Sequence, residues 1–250
     1  MLWKRLLKPD GPRAANFGIY VSYGIPKSGS TYAFELTRRA FEEHGWTQRR
    51  SGCRIVERGH DINFVRDWHD HEALRDLLEE CRKRGTWLVT KTHRPPSDDL
   101  KRLASEGYVR GHAVYRDPRD VALSMRDHGE RARRTGESAF SKIHTVEDAK
   151  KTLHNRLKQL RQWEGTENLF FVNFPELLDA DGTFLRKLEA QMGIAVEDGA
   201  LKRFVQSRRF TQFNVGQAKR YLSEMTRDEA ESFADDFRDF LNDYFGAEVA

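Results

Sequence analysis

Apolar residues recur along the chain in two rhythms. Four short runs are rich in β-branched and aromatic residues and are bounded by polar or turn residues: 17–23 (FGIYVSY), 86–90 (TWLVT), 111–115 (GHAVY) and 168–174 (NLFFVNF). Runs of this length and composition read as buried strands. A fifth, less regular strand is expected around 54–65. Between them the rhythm is helical. Ala33, Leu36, Thr37, Ala40 and Phe41 follow one face, with Glu35, Arg38, Arg39, Glu42 and Glu43 opposite. Val121, Ser124, Met125 and His128 make a shorter stripe after Asp117-Pro118, where Asp suits the N-cap and Pro the first helical position. Thr226-Arg-Asp-Glu229 forms a capping box that predicts a C-terminal helix over about 226–243. The polar, aperiodic segment 129–145 is expected to be a mobile loop. Strands alternating with helices predict an α/β fold, a central parallel sheet with helices on both faces. No composition shift or repeat marks a boundary, so 1–250 is expected to be one domain with its core at about 17–222.

Composition narrows the function classes. The 250 residues include two cysteines, too few for a disulfide framework. No run approaches the roughly 18 apolar residues of a membrane span, and the opening MLWKRLLKPDGPRAANFG lacks the apolar core of a signal peptide. A cytoplasmic protein is expected. Lys plus Arg number 43 against 39 Asp plus Glu, a net charge of +4. So slight an excess leaves nucleic acid, membrane and small phosphates open, and the positions of the cations must decide.

Three loops carry candidate chemistry. Gly24-Ile-Pro-Lys27-Ser-Gly29-Ser-Thr31-Tyr32 lies between a predicted strand and a predicted amphipathic helix. Glycines there let successive amides turn toward an anion, and the helix adds its positive N-terminus. The spacing nearly matches the nucleotide-triphosphate loop G-x-x-x-x-G-K-[ST], but Ser30 occupies the lysine position and the lysine comes earlier, at Lys27. In Lys91-Thr-His93-Arg-Pro95-Pro96, two prolines stiffen the exit of the second strand beside a candidate general base. In Tyr115-Arg116-Asp-Pro-Arg119-Asp120-Val-Ala-Leu-Ser124, an arginine leaves the third strand and a serine lies on the helix stripe, so the two can share an anion. All three fall at carboxyl ends of predicted parallel strands, which share one edge in an open sheet, where ligands bind.

These residues resemble the motifs of the 3'-phosphoadenosine 5'-phosphosulfate (PAPS)-dependent sulfotransferases. Pro26-Lys-Ser-Gly-Ser-Thr-Tyr32 resembles the family's 5'-phosphosulfate loop, Lys91-Thr-His-Arg-Pro95 its catalytic segment, and 115–124 its 3'-phosphate motif. Residues 168–178 resemble its later strand and turn more loosely. The resemblance implies a P-loop nucleotide-kinase-like fold and sulfuryl transfer from PAPS to a hydroxyl, or an amine, of a small-molecule or carbohydrate acceptor, with adenosine 3',5'-bisphosphate (PAP) as product and no metal required. It implies His93 as general base, Lys27 on the leaving group and Lys91 on the transferring group. Lys27, Ser28, Gly29, Ser30, Thr31 and Tyr32 would hold the 5' side, Tyr32 standing where the family stacks a Trp on adenine. Arg116 and Ser124 would hold the 3' phosphate. Near the C-terminus the family's R-K-G and G-D-W-K are replaced by Thr211-Gln-Phe213 and Gly216-Gln-Ala-Lys219, leaving Arg208, Arg209, Lys219 and Arg220 as candidate substitutes.

Two other readings remain open on the residues alone. A P-loop kinase or triphosphatase using ATP and magnesium would take Asp117 as its metal-binding carboxylate. A non-catalytic basic module would use Arg110, Arg116, Arg119, Arg126, Arg131, Arg133 and Arg134, but these cross a strand, a helix and a loop and make no single basic face. His69 and His71, spaced i and i+2 on a predicted helix, face different sides and have no third partner for a metal. Segments 45–70 and 129–145 flank the motif-bearing strands and are the candidates for acceptor contacts.

Overall fold

The computed structural model describes residues 16–58, 62–179, 182–197 and 217–246. Strand β1 (Gly18–Gly24) is buried along its whole length. It pairs in parallel with β2 (Trp87–Thr92) on one side and β3 (Val109–Tyr115) on the other, and β3 pairs in parallel with β4 (Leu169–Asn173). The sheet order is β2-β1-β3-β4, so the chain reverses its direction of travel across the sheet at β1. A reversal of this kind opens a crevice at the carboxyl ends of the strands.

Alternating side chains of β1 serve two cores, as the pleat requires. Ile19, Val21 and Tyr23 face one cluster with α2 (His71–Arg84), α3 (Asp98–Ser105), α4 (Pro118–Thr135) and α5 (Val146–Arg161). Tyr20 faces the other, with α1 (Ser30–Glu43), α6 (Phe174–Leu178) and α7 (Thr183–Met192). The expected parallel sheet with both faces covered is the observed one. The sequence-read caps are also present: Asp117 accepts from the Arg119 amide at 2.9 Å with Pro118 opening α4, and Thr226 and Glu229 form the capping box.

Four expectations need correction. Residues 54–65 form no strand among those described, only an antiparallel bridge Val56–Val65 and a parallel bridge Phe64–Lys91. Asn63 explains this, because its side chain takes the Ser51 amide at 2.8 Å and so anchors the segment as a loop rather than a ladder. Residues 129–135 are not loop but the last turns of α4, which ends at Gly136. Polar residues hide this helix, held by the Glu130–Arg134 pair at 2.6 Å and one inward apolar residue, Ala132. The C-terminal helix is two: α8 (Arg227–Asp236) and α9 (Arg238–Phe245) meet at Phe237, whose backbone leaves the helical region. His69 precedes α2 and pairs with Asp67, while His71 opens α2 and pairs with Asp99, so the two do not share a helix.

One polar group lies at the centre of the sheet. His112 on β3 is fully buried, its Nε2 at 2.8 Å from the Ser22 hydroxyl and its Nδ1 at 3.2 Å from the Tyr20 hydroxyl. Burial pushes its pKa down to about 3. An unfolded histidine titrates near ~6.5, so the unfolded chain takes up a proton that the fold refuses. The associated stability is complete above that pH and is lost as pH falls toward about 3. In urea titrations at pH 7 and pH 5, we expect wild type to lose stability with a slope approaching about 1.4 kcal/mol per pH unit from this site. His112→Gln, which cannot titrate, should show a correspondingly shallower loss.

Candidate active site

The loop after β1 is shaped by its own backbone. Lys27 sits at φ 71, and Gly29 at φ 90 forms the N-cap of α1. A Cβ on Gly29 would lie 2.8 Å from the Phe174 ring, so glycine is required for both conformation and space. The Ser28 hydroxyl donates to the carbonyls of Ile25 at 2.7 Å and Val114 at 3.2 Å, and its amide donates to Ile25 at 3.2 Å. Ser28 therefore fixes the loop to β3. Ala33 makes the first bond of the helix, to Gly29 O at 3.1 Å. Ser30, Thr31 and Tyr32 thus supply the first-turn amides, which have no acceptor further back in the helix and form an electropositive end. The Tyr32 side chain is packed into the core cluster of α1.

Lys91 and His93 enter from the end of β2. Lys91 is buried and donates to the Thr31 hydroxyl at 2.6 Å; burial, with Lys27 nearby, lowers its pKa to about 8 against the opposing effect of Glu35. His93 Nδ1 lies 2.5 Å from the Gly24 carbonyl. A carbonyl only accepts, so the hydrogen is on Nδ1 and Nε2 carries the lone pair. Burial, followed by the charges of Lys91, Arg156 and Arg94, depresses the His93 pKa to about 3. The ring meets Phe64 edge-on, with centroids 5.5 Å apart.

Arg116 leaves β3 under the same loop. Its Nε and Nη2 bond Asp120 at 3.3 and 3.2 Å, Nη2 also bonds the Gln217 carbonyl at 2.6 Å, and Nη1 reaches Lys27 O at 3.5 Å. The guanidinium lies over the Phe174 ring at 4.1 Å. Ser124 is buried on α4, two turns beyond Arg116. Lys27 Nζ lies 3.2 Å from His128 Nδ1, and burial, with Arg131 and Arg116, lowers its pKa to about 8 against Asp127.

The topology thus brings Lys27, Lys91, His93 and Arg116 to one edge. Of the C-terminal candidates, Lys219 is exposed, and its amide donates to Asp120 at 2.8 Å. Arg220 is buried and bound to Asp127 and Glu224, each at 2.7 Å. Arg208, Arg209, 211–213 and Gly216 lie outside the described residues. Asp120, Phe174, His128 and Arg131 were not singled out as site residues by sequence reasoning. The i, i+4 spacing of Arg116 and Asp120 was a readable signal for the first; Phe174 had none.

No protein-family model and no curated protein matches the chain. Solved structures do. A mouse sulfotransferase, SULT7A1, complexed with PAP superposes with a TM-score of 0.63 at 16% identity, covering 94% of this chain and 88% of that one. Retinol dehydratase in complex with androsterone and the inactive cofactor PAP superposes at 0.54 and 16% identity, covering 93% and 82%. Its complex with retinol and PAP gives 0.50 at 16%, covering 93% and 83%. These likenesses establish that this chain shares the fold of those proteins.

The geometry at His93 makes a direct spectroscopic prediction. In ¹⁵N-detected NMR of the free protein, its ring should be the neutral Nδ1–H tautomer at pH 7 and should remain so through pH 5. A His93 ring that protonates near pH 6.5 would contradict the burial and charge environment described.

Proposed function

We propose that the chain transfers a sulfuryl group from PAPS to a hydroxyl, or an amine, of a small-molecule or carbohydrate acceptor. The observation that carries this reading is that Lys27, Lys91 and Arg116 reach the same sheet edge as His93, whose Nε2 lone pair is free of the Gly24 bond. Among the described residues no ion pair joins Lys27 or Lys91 to a carboxylate, so the loop is poised for an anion rather than neutralised. The neighbours' bound PAP supports a nucleotide with phosphates at both ends.

The residues fit such a donor in charge and shape. First-turn amides of α1 would take the 5' phosphate; Ser28 shapes that loop, and Gly29 keeps it open. Arg116 and Ser124 would take the 3' phosphate, with Lys219 near enough along the chain to contribute. Arg220, already bound by two carboxylates, instead ties the C-terminal segment to α4. When bound, the donor supplies a sulfuryl group on a phosphate that can leave. His93 Nε2 takes the acceptor's proton while the acceptor oxygen bonds to sulfur. Lys27 donates to the phosphate oxygen that keeps the electron pair of the broken sulfur–oxygen bond, and Lys91 donates to the sulfuryl oxygens. Catalysis of this kind rests on positioning and charge, as in phosphoryl transfer. Burial is the largest cause of the His93 depression, and of the charges that add to it Lys91 is the one an anionic donor would offset, so donor binding strengthens the base where it is needed.

An ATP-dependent kinase is less well supported. Ser30 stands at the lysine position, and Asp117, its candidate metal carboxylate, is occupied by Arg119 through both oxygens at 3.0 and 2.7 Å. The basic-module reading is also weaker: among the named arginines, Arg116, Arg119, Arg126 and Arg134 are each paired with a carboxylate.

Isothermal calorimetry should give magnesium-independent PAP binding that exceeds binding of magnesium-ATP, and labelled PAPS should pass sulfate to a hydroxyl in an acceptor panel. His93→Ala should lower kcat about 10²–10⁴-fold with PAP affinity largely kept, and Lys27→Ala about 10²–10³-fold. Preference for magnesium-ATP, or wild-type turnover by His93→Ala, would defeat the reading. The acid limb of kcat should lie at higher pH than that of kcat/KM, because the first reports His93 with donor bound and the second reports it free.

A further inference from the structure

One face of helix α4 carries a stripe of Ser124, His128 and Arg131, spaced i, i+4 and i+7. Its middle member is engaged unusually. Lys27 Nζ donates to His128 Nδ1 at 3.2 Å, and Arg131 Nη2 donates to the same nitrogen at 3.0 Å. One neutral lone pair therefore holds two cations, which lie no farther apart than those two distances allow. With Nδ1 accepting, the ring hydrogen is on Nε2, which is buried without a hydrogen-bond partner among the described residues, and the Glu137 carboxylate stands 3.8 Å away. The carboxylate nearest in influence, Asp127, is itself held by Arg220 at 2.7 Å and Arg126 at 3.2 Å. The neighbouring arginines point elsewhere: Arg133 donates to the carbonyls of Ser141 and Ile143 at 2.9 Å, and Arg134 pairs with Glu130 at 2.6 Å. Arg131 is the one of the three turned to Lys27.

Like charges held this close, with a neutral imidazole between them, call for an anion. The helix rises ~1.5 Å per residue, so Arg131 lies about 10 Å along α4 from Ser124. Ser124 serves the 3' end of the donor in the reading above, which leaves Arg131 beside Lys27 at the opposite, reacting end. We propose that Arg131 joins Lys27 in a two-cation clamp at the reacting end of the donor, Lys27 on the oxygen between phosphorus and sulfur and Arg131 on the sulfuryl oxygens, and that His128 is the positioning residue holding both cations ready for it. This rests on the sulfotransfer reading and adds to it a cation that the motifs do not contain. Arg131 supplies planar donors suited to oxyanions. His128 gives up two hydrogen bonds when the anion arrives, so the cations turn from the imidazole to the ligand without a carboxylate to displace.

The pair PAP and PAPS isolates the claim, because only PAPS carries the sulfuryl group. Both are titrated by calorimetry, without acceptor, into wild type, Arg131→Gln, Arg131→Lys, His128→Asn and His128→Leu. We expect Arg131→Gln to bind PAP within about twofold of wild type, which also reports an intact fold, and PAPS about tenfold more weakly. Arg131→Lys should recover part of the loss. His128→Asn, which keeps an acceptor near the Nδ1 position, should retain more kcat than His128→Leu.

A second readout separates this from a merely structural role. Lys27 faces His128, Arg131 and Asp127 of α4, Arg116 at the end of β3 and Lys91 of β2. Lys27 acts protonated, and Arg131 lowers its pKa. Removing the Arg131 charge lets that pKa rise, so the alkaline limb of kcat/KM should move to higher pH in Arg131→Gln. Equal weakening of PAP and PAPS, no weakening of either, or an unmoved alkaline limb would overturn the clamp. Failure of wild type to bind either nucleotide overturns the sulfotransfer reading, and the clamp with it.

Discussion

The parallel pairing of β1 on both of its edges is the constraint from which the site follows. Tyr23 is level with Thr92 of β2 and with Ala113 of β3, so the chain leaves all three strands at one edge. An antiparallel neighbour would have delivered its motif to the opposite end. The loops are then joined mainly through backbone carbonyls. Gly24 O holds His93, Val114 O accepts from the Ile25 amide at 3.3 Å and from the Ser28 hydroxyl, and Lys27 O meets Arg116. Carbonyls do not titrate, so the scaffold of the site keeps its shape while its side chains change charge.

The surface and the crevice use charge in opposite ways. On exposed helix faces arginines are matched to acids, as in Arg134 with Glu130, Arg82 with Glu79 and Arg227 with Glu231. Such pairs contribute little to stability, about 0–1 kcal/mol each. In the crevice Lys27 and Lys91 are withdrawn from water with no carboxylate ion-paired to either among the described residues, and burial makes both easier to deprotonate. That arrangement stores unfavourable energy that an anion relieves, and in a site screened from water each donor then counts for more than it would at the surface. The overall +4 conveys none of this. The positions of a few cations do.

Much of this was readable from residue order, and the reasons for the exceptions are physical. The strands of the sheet and the amphipathic helix α1 announce themselves through periodicity, and the caps at Asp117 and Thr226 through chemistry. The end of α4 does not, because 129–135 is stabilised by charge pairs and one alanine rather than an apolar stripe. Residues 54–65 carry strand-like composition but surrender it to the side chain of Asn63, a tertiary choice no local pattern reports. Arg220 illustrates a harder limit. Its sequence context offers it to a phosphate, whereas Asp127 on α4 and Glu224 one turn on claim both sides of its guanidinium. His128 and Arg131 fall between these cases: their spacing with Ser124 was legible, but their meeting with Lys27 depends on how α4 lies against the loop.

Arg116 shows how a fully engaged side chain can still be directed at a ligand. Phe174 covers one face of its guanidinium, and Asp120 with the Gln217 carbonyl takes the Nε and Nη2 edge. What is left is the Nη1 edge, whose contact with Lys27 O is long at 3.5 Å and which therefore points along the phosphate loop. Asp120 does more than neutralise. The same carboxylate accepts from the amides of Lys219 at 2.8 Å and Tyr221 at 3.2 Å, so the arginine and the C-terminal segment are positioned by one buried group. Replacing Asp120 would release both at once. An apolar residue there could fill the volume, but it could not hold the guanidinium edge-on, and a planar donor that rotates freely loses the directionality that distinguishes arginine from lysine.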